Sequence, residues 1–294
     1  MTVVIDPHHH FWRLSEQEQP WRTAAHEAIA ADFGPADLEP ALRRSGVDAT
    51  VLVESVDSAD ENDRLRSYAR SVPFVAGVVG WLPLAQPPQA RQELERVRGP
   101  QLRGVRCLVG REPLEPLERP DTISLFSSLA DEGLAWDVVV VTAAQAESVV
   151  RIAGAVPSLR VVVDHLARPP LETAGWEPWT ERVRRLAGCP NVALKLSVGV
   201  DVLTSWSSWD AAELPRYVDW AAQCFGPSRL MLASNWPMVL LRRAYEHAWG
   251  DLTEAVRLAG IGGAELDEVL GGTAMRWYDL NVGAPPALGT EERP

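Results

Sequence analysis

Cysteine is scarce in this chain of 294 residues: three in all, Cys107, Cys189 and Cys224, widely spaced and forming no CxxC pair. That excludes a disulfide framework and a cysteine-rich metal knot, and the thiols read as reduced, mostly buried groups of a cytoplasmic protein. Basic residues are also short. Against 40 Asp and Glu stand 28 Lys and Arg, giving a formal charge of −12. So acidic a chain is a poor partner for nucleic acid, whose backbone demands clustered cations, although one Arg in a pocket can still hold an anion. No apolar run approaches the roughly 20 residues of a membrane span. No basic segment followed by an apolar one opens the chain, so a signal peptide is not expected. Tyrosine is rare, 4 against 12 Trp, and core packing is the default role of each Trp. No GxGxxG follows the first apolar run, which disfavours a dinucleotide fold.

What the chain does have is an apolar fraction of 46% and eight short runs rich in Val, Ile and Leu. They are Val3–Ile5, Thr50–Val53, Phe74–Gly80, Gly104–Leu108, Trp136–Val141, Arg160–Val163, Val192–Leu196 and Leu230–Ala233. Continuous rather than alternating apolar runs suit strands covered on both faces. Between them lie helical segments with boundary signals: Leu38–Ser45 between Pro35-Ala36-Asp37 and Gly46, then Asp60–Val72, Pro87–Val97, Thr122–Glu132, Ala143–Gly154, Thr180–Ala187 and Leu214–Phe225. Strand and helix alternating eight times predict an α/β chain with parallel strands, closed as a (β/α)8 TIM barrel, which typically takes about 250 residues. A doubly wound open sheet is the structural alternative. No internal boundary is visible, so a single domain over residues 1–282 is expected, with 283–294 as a loose tail. Residues 12–33 form a long insertion after the first strand, placed over the barrel mouth, one of several long βα loops expected on the C-terminal face.

The chemistry gathers around Ile5-Asp6-Pro7-His8-His9-His10-Phe11-Trp12. In an extended chain alternate residues share a side, so Asp6, His8 and His10 are expected on one face and His9 on the other. Two imidazoles on one face can hold a metal or grip an anionic substrate. A barrel works from the C-terminal ends of its strands. There the sequence places Glu54, Trp81, Arg106, Thr142, Asp164-His165, Lys195 and Ser197, and Ser234-Asn235-Trp236-Pro237.

At this point the chain resembles the amidohydrolase-related group of TIM-barrel metal-dependent hydrolases, in its lactonase branch, which acts on lactones such as those of L-fuconate and L-rhamnonate. The opening motif, Gly77–Trp81, Gly104-Val105-Arg106, Val163–Pro169, Asn191–Ser197 and Ser234–Pro237 carry the likeness across roughly residues 3 to 280. The resemblance implies a hydrolase in which His8, His10 and His165 surround the reaction centre and hold a divalent metal, zinc by preference; the alternative it leaves open is a metal-independent enzyme in which a histidine polarises the carbonyl directly. It implies that Arg106 holds a substrate carboxylate or carbonyl. The chain departs from the pattern at the last strand, where Asn235 stands in place of an Asp. An amide is no base near neutral pH and a poorer ligand than a carboxylate. Asn235 is therefore expected to orient water or substrate, with His165 or Glu54 moving protons.

The expected catalytic set is thus His165, Asn235, Arg106 and Glu54. The expected substrate walls and contacts are Arg106, Trp12, Trp81, Lys195 and Trp236. For Arg106 a plain ion pair with Glu54 is the structural alternative, and for Lys195 a salt bridge near Asp164. Asp164 is expected to brace its loop, and Asp6 to orient a histidine from behind. The expected partner is a small-molecule substrate, and a homodimer is compatible with such a barrel. Two competing functions are a metal-dependent decarboxylase of an unsaturated acid and a non-catalytic binder that lost its strand 8 acid.

Overall fold

Eight runs of β-branched and small residues form eight parallel strands: β1 Ile5–His9, β2 Ala49–Val53, β3 Val75–Trp81, β4 Leu102–Arg106, β5 Ala135–Val139, β6 Val161–Asp164, β7 Val192–Leu196 and β8 Leu230–Leu232. They hydrogen-bond in chain order, β1 through β8, as one sheet. Beyond β8 the chain meets β1 again. His10 N–H donates to the Trp236 carbonyl at 2.8 Å, and Asn235 N–H donates to the His8 carbonyl at 2.9 Å. The sheet thus closes at the mouth, making the expected single-domain (β/α)8 barrel. The structure, a computed structural model, describes residues 2–108 and 110–283. Apart from Gly283, the tail expected at 283–294 lies outside the described residues.

The helices between the strands are α1 Pro35–Ser45, α2 Ala59–Ser71, α3 Pro87–Val97, α4 Pro120–Asp131, α5 Ala143–Ala155, α6 Trp179–Ala187, α7 Val200–Ser205 and α8 Leu214–Phe225. Their ends obey local chemistry. Pro35 sits at the first turn of α1, the Asp37 carboxylate accepts from Gly34 N–H, and Gly46 closes the helix at φ 67°. Thr142 and Gln145 form a reciprocal cap on α5. After β8 come α9 Tyr245–Leu258, α10 Gly263–Asp267 and α11 Thr273–Trp277, which the sequence reading did not assign. Among the described residues no helix is long and apolar enough to cross a membrane.

Two layers of core hold the barrel. The larger lies between strands and helices. The smaller fills the lumen with modest side chains, among them Val51, Val53, Val79, Ala135, Val162 and Ala193, and is plugged from below by Trp277, Tyr278 and Leu280. Gly271, just before α11, must be glycine: a Cβ there would lie 1.9 Å from the Val3 carbonyl oxygen. The insertion over residues 12–33 is tied at its base by a Trp12–Phe33 pair of backbone hydrogen bonds, each 3.0 Å.

β1 corrects two expectations. It does not stop before the histidines but runs through His9, and its register slips between Asp6 and His9. The slip breaks the simple alternation. Asp6 consequently turns away from the His8 and His10 rings, accepting hydrogen bonds from Ser234 Oγ at 2.6 Å and from Tyr245 of α9 at 3.2 Å. It braces the β1–β8 seam and not an imidazole. His9 also points away, as expected, and its Nε2 meets Thr50 Oγ1 at 2.8 Å.

Candidate active site

His8 and His10, carried past the slip in β1, bring their Nε2 atoms to 3.3 Å from each other. The His165 ring, one residue beyond β6, lies 4.6 Å from the His8 ring, centroid to centroid. The three imidazoles therefore converge. Each is held from its other nitrogen. His10 Nδ1 donates to the Val53 carbonyl at 2.8 Å, which leaves Nε2 as a lone pair. His165 Nδ1 meets Ser197 Oγ at 2.9 Å. His8 Nδ1 lies 3.2 Å from Asp164 Oδ1 and 3.1 Å from Lys195 Nζ.

Beneath the histidines runs a fully buried ionic chain. Lys195, the only lysine in the sequence, sits 2.5 Å from Asp137 Oδ2 and 3.1 Å from Asp164 Oδ1. The Tyr278 hydroxyl donates to the same Asp137 oxygen at 2.7 Å. Arg106 commits three nitrogens: Nε to Glu54 Oε1 at 2.8 Å, one terminal nitrogen to Asp164 Oδ2 at 3.1 Å, and the other to the Glu54 carbonyl at 2.5 Å.

Burial sets the protonation states. It pushes His165 down to about 4 and holds His8 and His10 well below the usual range, with Lys195 and Arg106 adding to the effect on His8 and His10 respectively. All three rings are neutral at pH 7. Burial also pushes Glu54 up to about 7 and Asp137 to about 6, although Arg106 and Lys195 pull the other way. Asp164 is the exception. Burial opposes its charge, but Lys195 and then His8 outweigh that and hold the carboxyl well below the ordinary carboxylate range.

A cavity of about 380 Å³ opens over this chain. His10, Arg106, His165 and Asn235 reach its wall, while Leu108, Val139, Val141 and Met238 make an apolar side. From the insertion come Trp21 and His26, and Arg111 and Arg168 stand at the rim. Asn235 has φ 56°, a left-handed value that Asn tolerates better than most residues. Its Nδ2 donates to the Val198 carbonyl at 2.8 Å, and its Oδ1 is buried without a hydrogen-bond partner.

Several expectations need correction. Trp12 is fully buried, donating Nε1–H to the Ala31 carbonyl, and does not line the cavity. Trp236 packs edge-on against Phe11 and Phe33. Trp81 is fixed by its backbone to Asn62 and is not in the wall. Trp21 is the indole that does face the cavity. Lys195 is wholly buried among carboxylates, too deep to touch a substrate. Glu54 is likewise sealed off and paired with Arg106, the plainer of the two arrangements weighed for that pair. Asp164 points inward among His8, Arg106 and Lys195, where a brace for its loop was expected.

Sequence reasoning missed Asp137 and Tyr278. A lone acid inside an otherwise apolar strand, Ala135–Val139, was the available signal for Asp137; Tyr278 had none. It also missed the backbone at the end of β6. His165, Leu166, Ala167 and Arg168 all have φ between 51° and 57°. Left-handed backbone costs a residue with a Cβ roughly 1–2 kcal/mol, so four in succession are a concentrated strain beside a working side chain.

His8, Asp164 and His165 offer ligand atoms within 4.8 Å of one another, a group able to hold a metal ion. Imidazoles, carboxylates and an unpartnered amide converging at the C-terminal mouth of a (β/α)8 barrel define an enzyme of the barrel hydrolase class. Comparison with known proteins agrees. The Amidohydrolase family model matches residues 5–280, and the chain belongs to that family. An L-fucono-1,5-lactonase of Burkholderia ambifaria is 33% identical over 96% of this chain and 97% of its own. An L-fucono-1,5-lactonase of Burkholderia multivorans is 30% identical, over 95% of this chain and 97% of its own. A crystal structure of a Burkholderia multivorans amidohydrolase with bound zinc superposes with a TM-score of 0.85 at 29% identity, covering 95% of this chain and all of that one.

Proposed function

We propose that this protein hydrolyses the lactone of a sugar acid, with L-fucono-1,5-lactone the first substrate to offer it. The observation that carries the reading is the meeting of His10, His165, Arg106 and Asn235 in the wall of one cavity large enough for a sugar ring. Two relatives bearing that activity over nearly their full length support the choice of substrate.

Ring opening needs an activated water, a polarised carbonyl and a proton for the departing alkoxide. Neutral imidazoles meet the first and last needs. His165 can take a proton from water and return it to the leaving oxygen, because Ser197 fixes its Nδ1 and leaves Nε2 free. Asn235, in the same wall, can help to orient that water or the substrate. Arg106 retains N–H groups beyond those committed to Glu54 and Asp164, and one of them can polarise the carbonyl.

A base held near 4 is weak at neutral pH, and here a metal would help. The residues fit one. The 3.3 Å between two Nε2 atoms matches the edge of a tetrahedron with zinc–nitrogen bonds of about 2.0–2.1 Å. His8, His10 and His165 would hold the ion; His165 Nε2 would then be a ligand, so its proton-carrying role belongs to the enzyme without metal. Asp164, already engaged by Arg106 and Lys195, would stay behind His8 Nδ1. A bound divalent ion would supply Lewis acidity that makes water a nucleophile near pH 7. A cytoplasmic location and a small-molecule substrate belong to the same reading, and the three unpaired thiols support it.

The test is acid release from L-fucono-1,5-lactone and a panel of aldonolactones in a pH-indicator assay, with and without added zinc. Turnover by the wild type, lost in His165→Ala, is the expected result. No acid from any lactone in either condition sinks the proposal. If turnover appears only in Asn235→Asp, the natural chain is the binder that its amide suggests.

A further inference from the structure

Four successive left-handed residues need something outside the turn to hold them, and the structure shows what does. All three carbonyls that follow His165 in the turn accept hydrogen bonds from α6. Trp179 Nε1–H donates to Leu166 O at 2.7 Å, Arg182 Nε–H to Ala167 O at 3.0 Å, and an Arg182 terminal nitrogen to Arg168 O at 2.9 Å. Trp179 and Arg182 are three residues apart on one face of the first turn of α6, and both are buried. We propose that Trp179 and Arg182 are positioning residues: they clamp the left-handed turn from its carbonyl side and so fix the His165 ring in the cavity.

Arg182 is the sharper of the two. It makes no ion pair among the described residues, and its donors go to carbonyls alone. A buried guanidinium without a carboxylate is an expensive way to satisfy two carbonyls, and burial pushes it down to about 10. Such an arrangement persists where the conformation it enforces is needed. The other side of the turn is equally constrained. Ser197 holds His165 Nδ1, a Cβ on Gly199 would come 3.3 Å from His165 Cβ, and Arg168 is fixed by Asp201 and Glu172. The imidazole therefore sits between β7 and a rigid helix, at the end of a turn that Leu and Ala rarely adopt unaided.

The inference rests on His165 being a working imidazole, so the experiment separates the two. kcat and KM for L-fucono-1,5-lactone are measured for wild type, Arg182→Met, Arg182→Lys, Trp179→Phe and His165→Ala, and for Arg182→Met combined with His165→Ala, all at matched folded fraction by circular dichroism. Arg182→Met is expected to lose about tenfold or more in kcat with KM changed less than about threefold, as for a group that acts through the reacting residue. Arg182→Lys should recover part of the rate, since an ammonium can reach one carbonyl but not two. In the His165→Ala background the same Arg182→Met change should cost nothing further. Wild-type kcat in Arg182→Met, or an equal loss with and without His165, overturns the clamp. Should Arg182→Met fail to fold, Trp179→Phe, which removes the indole N–H donor along with part of a buried ring, is judged by the same two readouts. A wild-type rate in His165→Ala would instead remove the role of His165 itself.

Discussion

Replacing Lys195 by methionine tests the ionic chain under the site. Lys195 is the single lysine of the chain and is wholly buried, 2.5 Å from Asp137 and 3.1 Å from both Asp164 and His8. Methionine fills much of the same volume but removes the charge. Asp164 keeps Arg106 as a partner, whereas Asp137 keeps only the Tyr278 hydroxyl, with Oδ1 already unpartnered. Removing one member of a buried pair costs about 3–5 kcal/mol. At roughly 2–4 °C per kcal/mol for a chain of this order of size, the melting temperature should fall by about 6–20 °C. The loss should depend on pH with a definite sign. Asp137 has a folded value of about 6, above its ordinary 3.8, so ionising it opposes folding and protonating it favours folding. Without Lys195 that value rises further. The gap between variant and wild type should therefore be widest above pH 7 and narrow as pH falls below 6. Adding Asp137→Asn should recover more than half of the loss, since the orphaned charge is gone. Thermal melts of the four proteins of the cycle at pH 5 and pH 8 measure all of this. A Lys195→Met melting point within 2 °C of wild type at pH 8, or a further drop on adding Asp137→Asn, would refute the reasoning.

Three further outcomes are expected. His9 is buried neutral, with its value pushed by burial from 6.5 to about 3. Its contribution to stability is full above pH 6.5 and is lost progressively toward pH 3, by about 2 kcal/mol between pH 7 and pH 5. His9→Phe should flatten the urea-denaturation profile over that interval by a similar amount; an unchanged slope would count against it. Gly271→Ala should destabilise by about 2–3 kcal/mol or more because its Cβ meets backbone, whereas Gly154→Ala, with nothing within 4 Å, should be neutral or slightly stabilising in calorimetry. Asn235→Asp adds a carboxylate beside three imidazoles and should tighten zinc by about tenfold or more in chelator competition; unchanged affinity would remove Asn235 from the metal's surroundings.

Much of the barrel was legible because its signals are local. Continuous apolar runs mark strands covered on both faces, and capping residues mark helix ends; Pro87–Val97 and Leu214–Phe225 are helices over the very spans expected. The same logic found His8, His10, His165, Arg106 and Asn235, since a barrel directs the ends of its strands to one mouth. It failed where a residue's direction depends on neighbours far away in the chain. The slip in β1 turned Asp6 toward Ser234 and Tyr245, more than 200 positions on. Trp12, Trp81 and Trp236 looked like walls because indoles suit a sugar, but bulk alone does not say which side of a loop it fills, and the cavity took Trp21.

The sequence by itself determined the eight-fold alternation, the family likeness and the presence of imidazoles at two strand ends, because periodicity and motif spacing are properties of the chain. Only the tertiary structure decided that Lys195 belongs to Asp137, Asp164 and His8 and not to a substrate, and that α6 fastens a left-handed turn behind His165. Those facts depend on which side chains meet across the barrel, and that is fixed by closure of the sheet and not by neighbours along the chain.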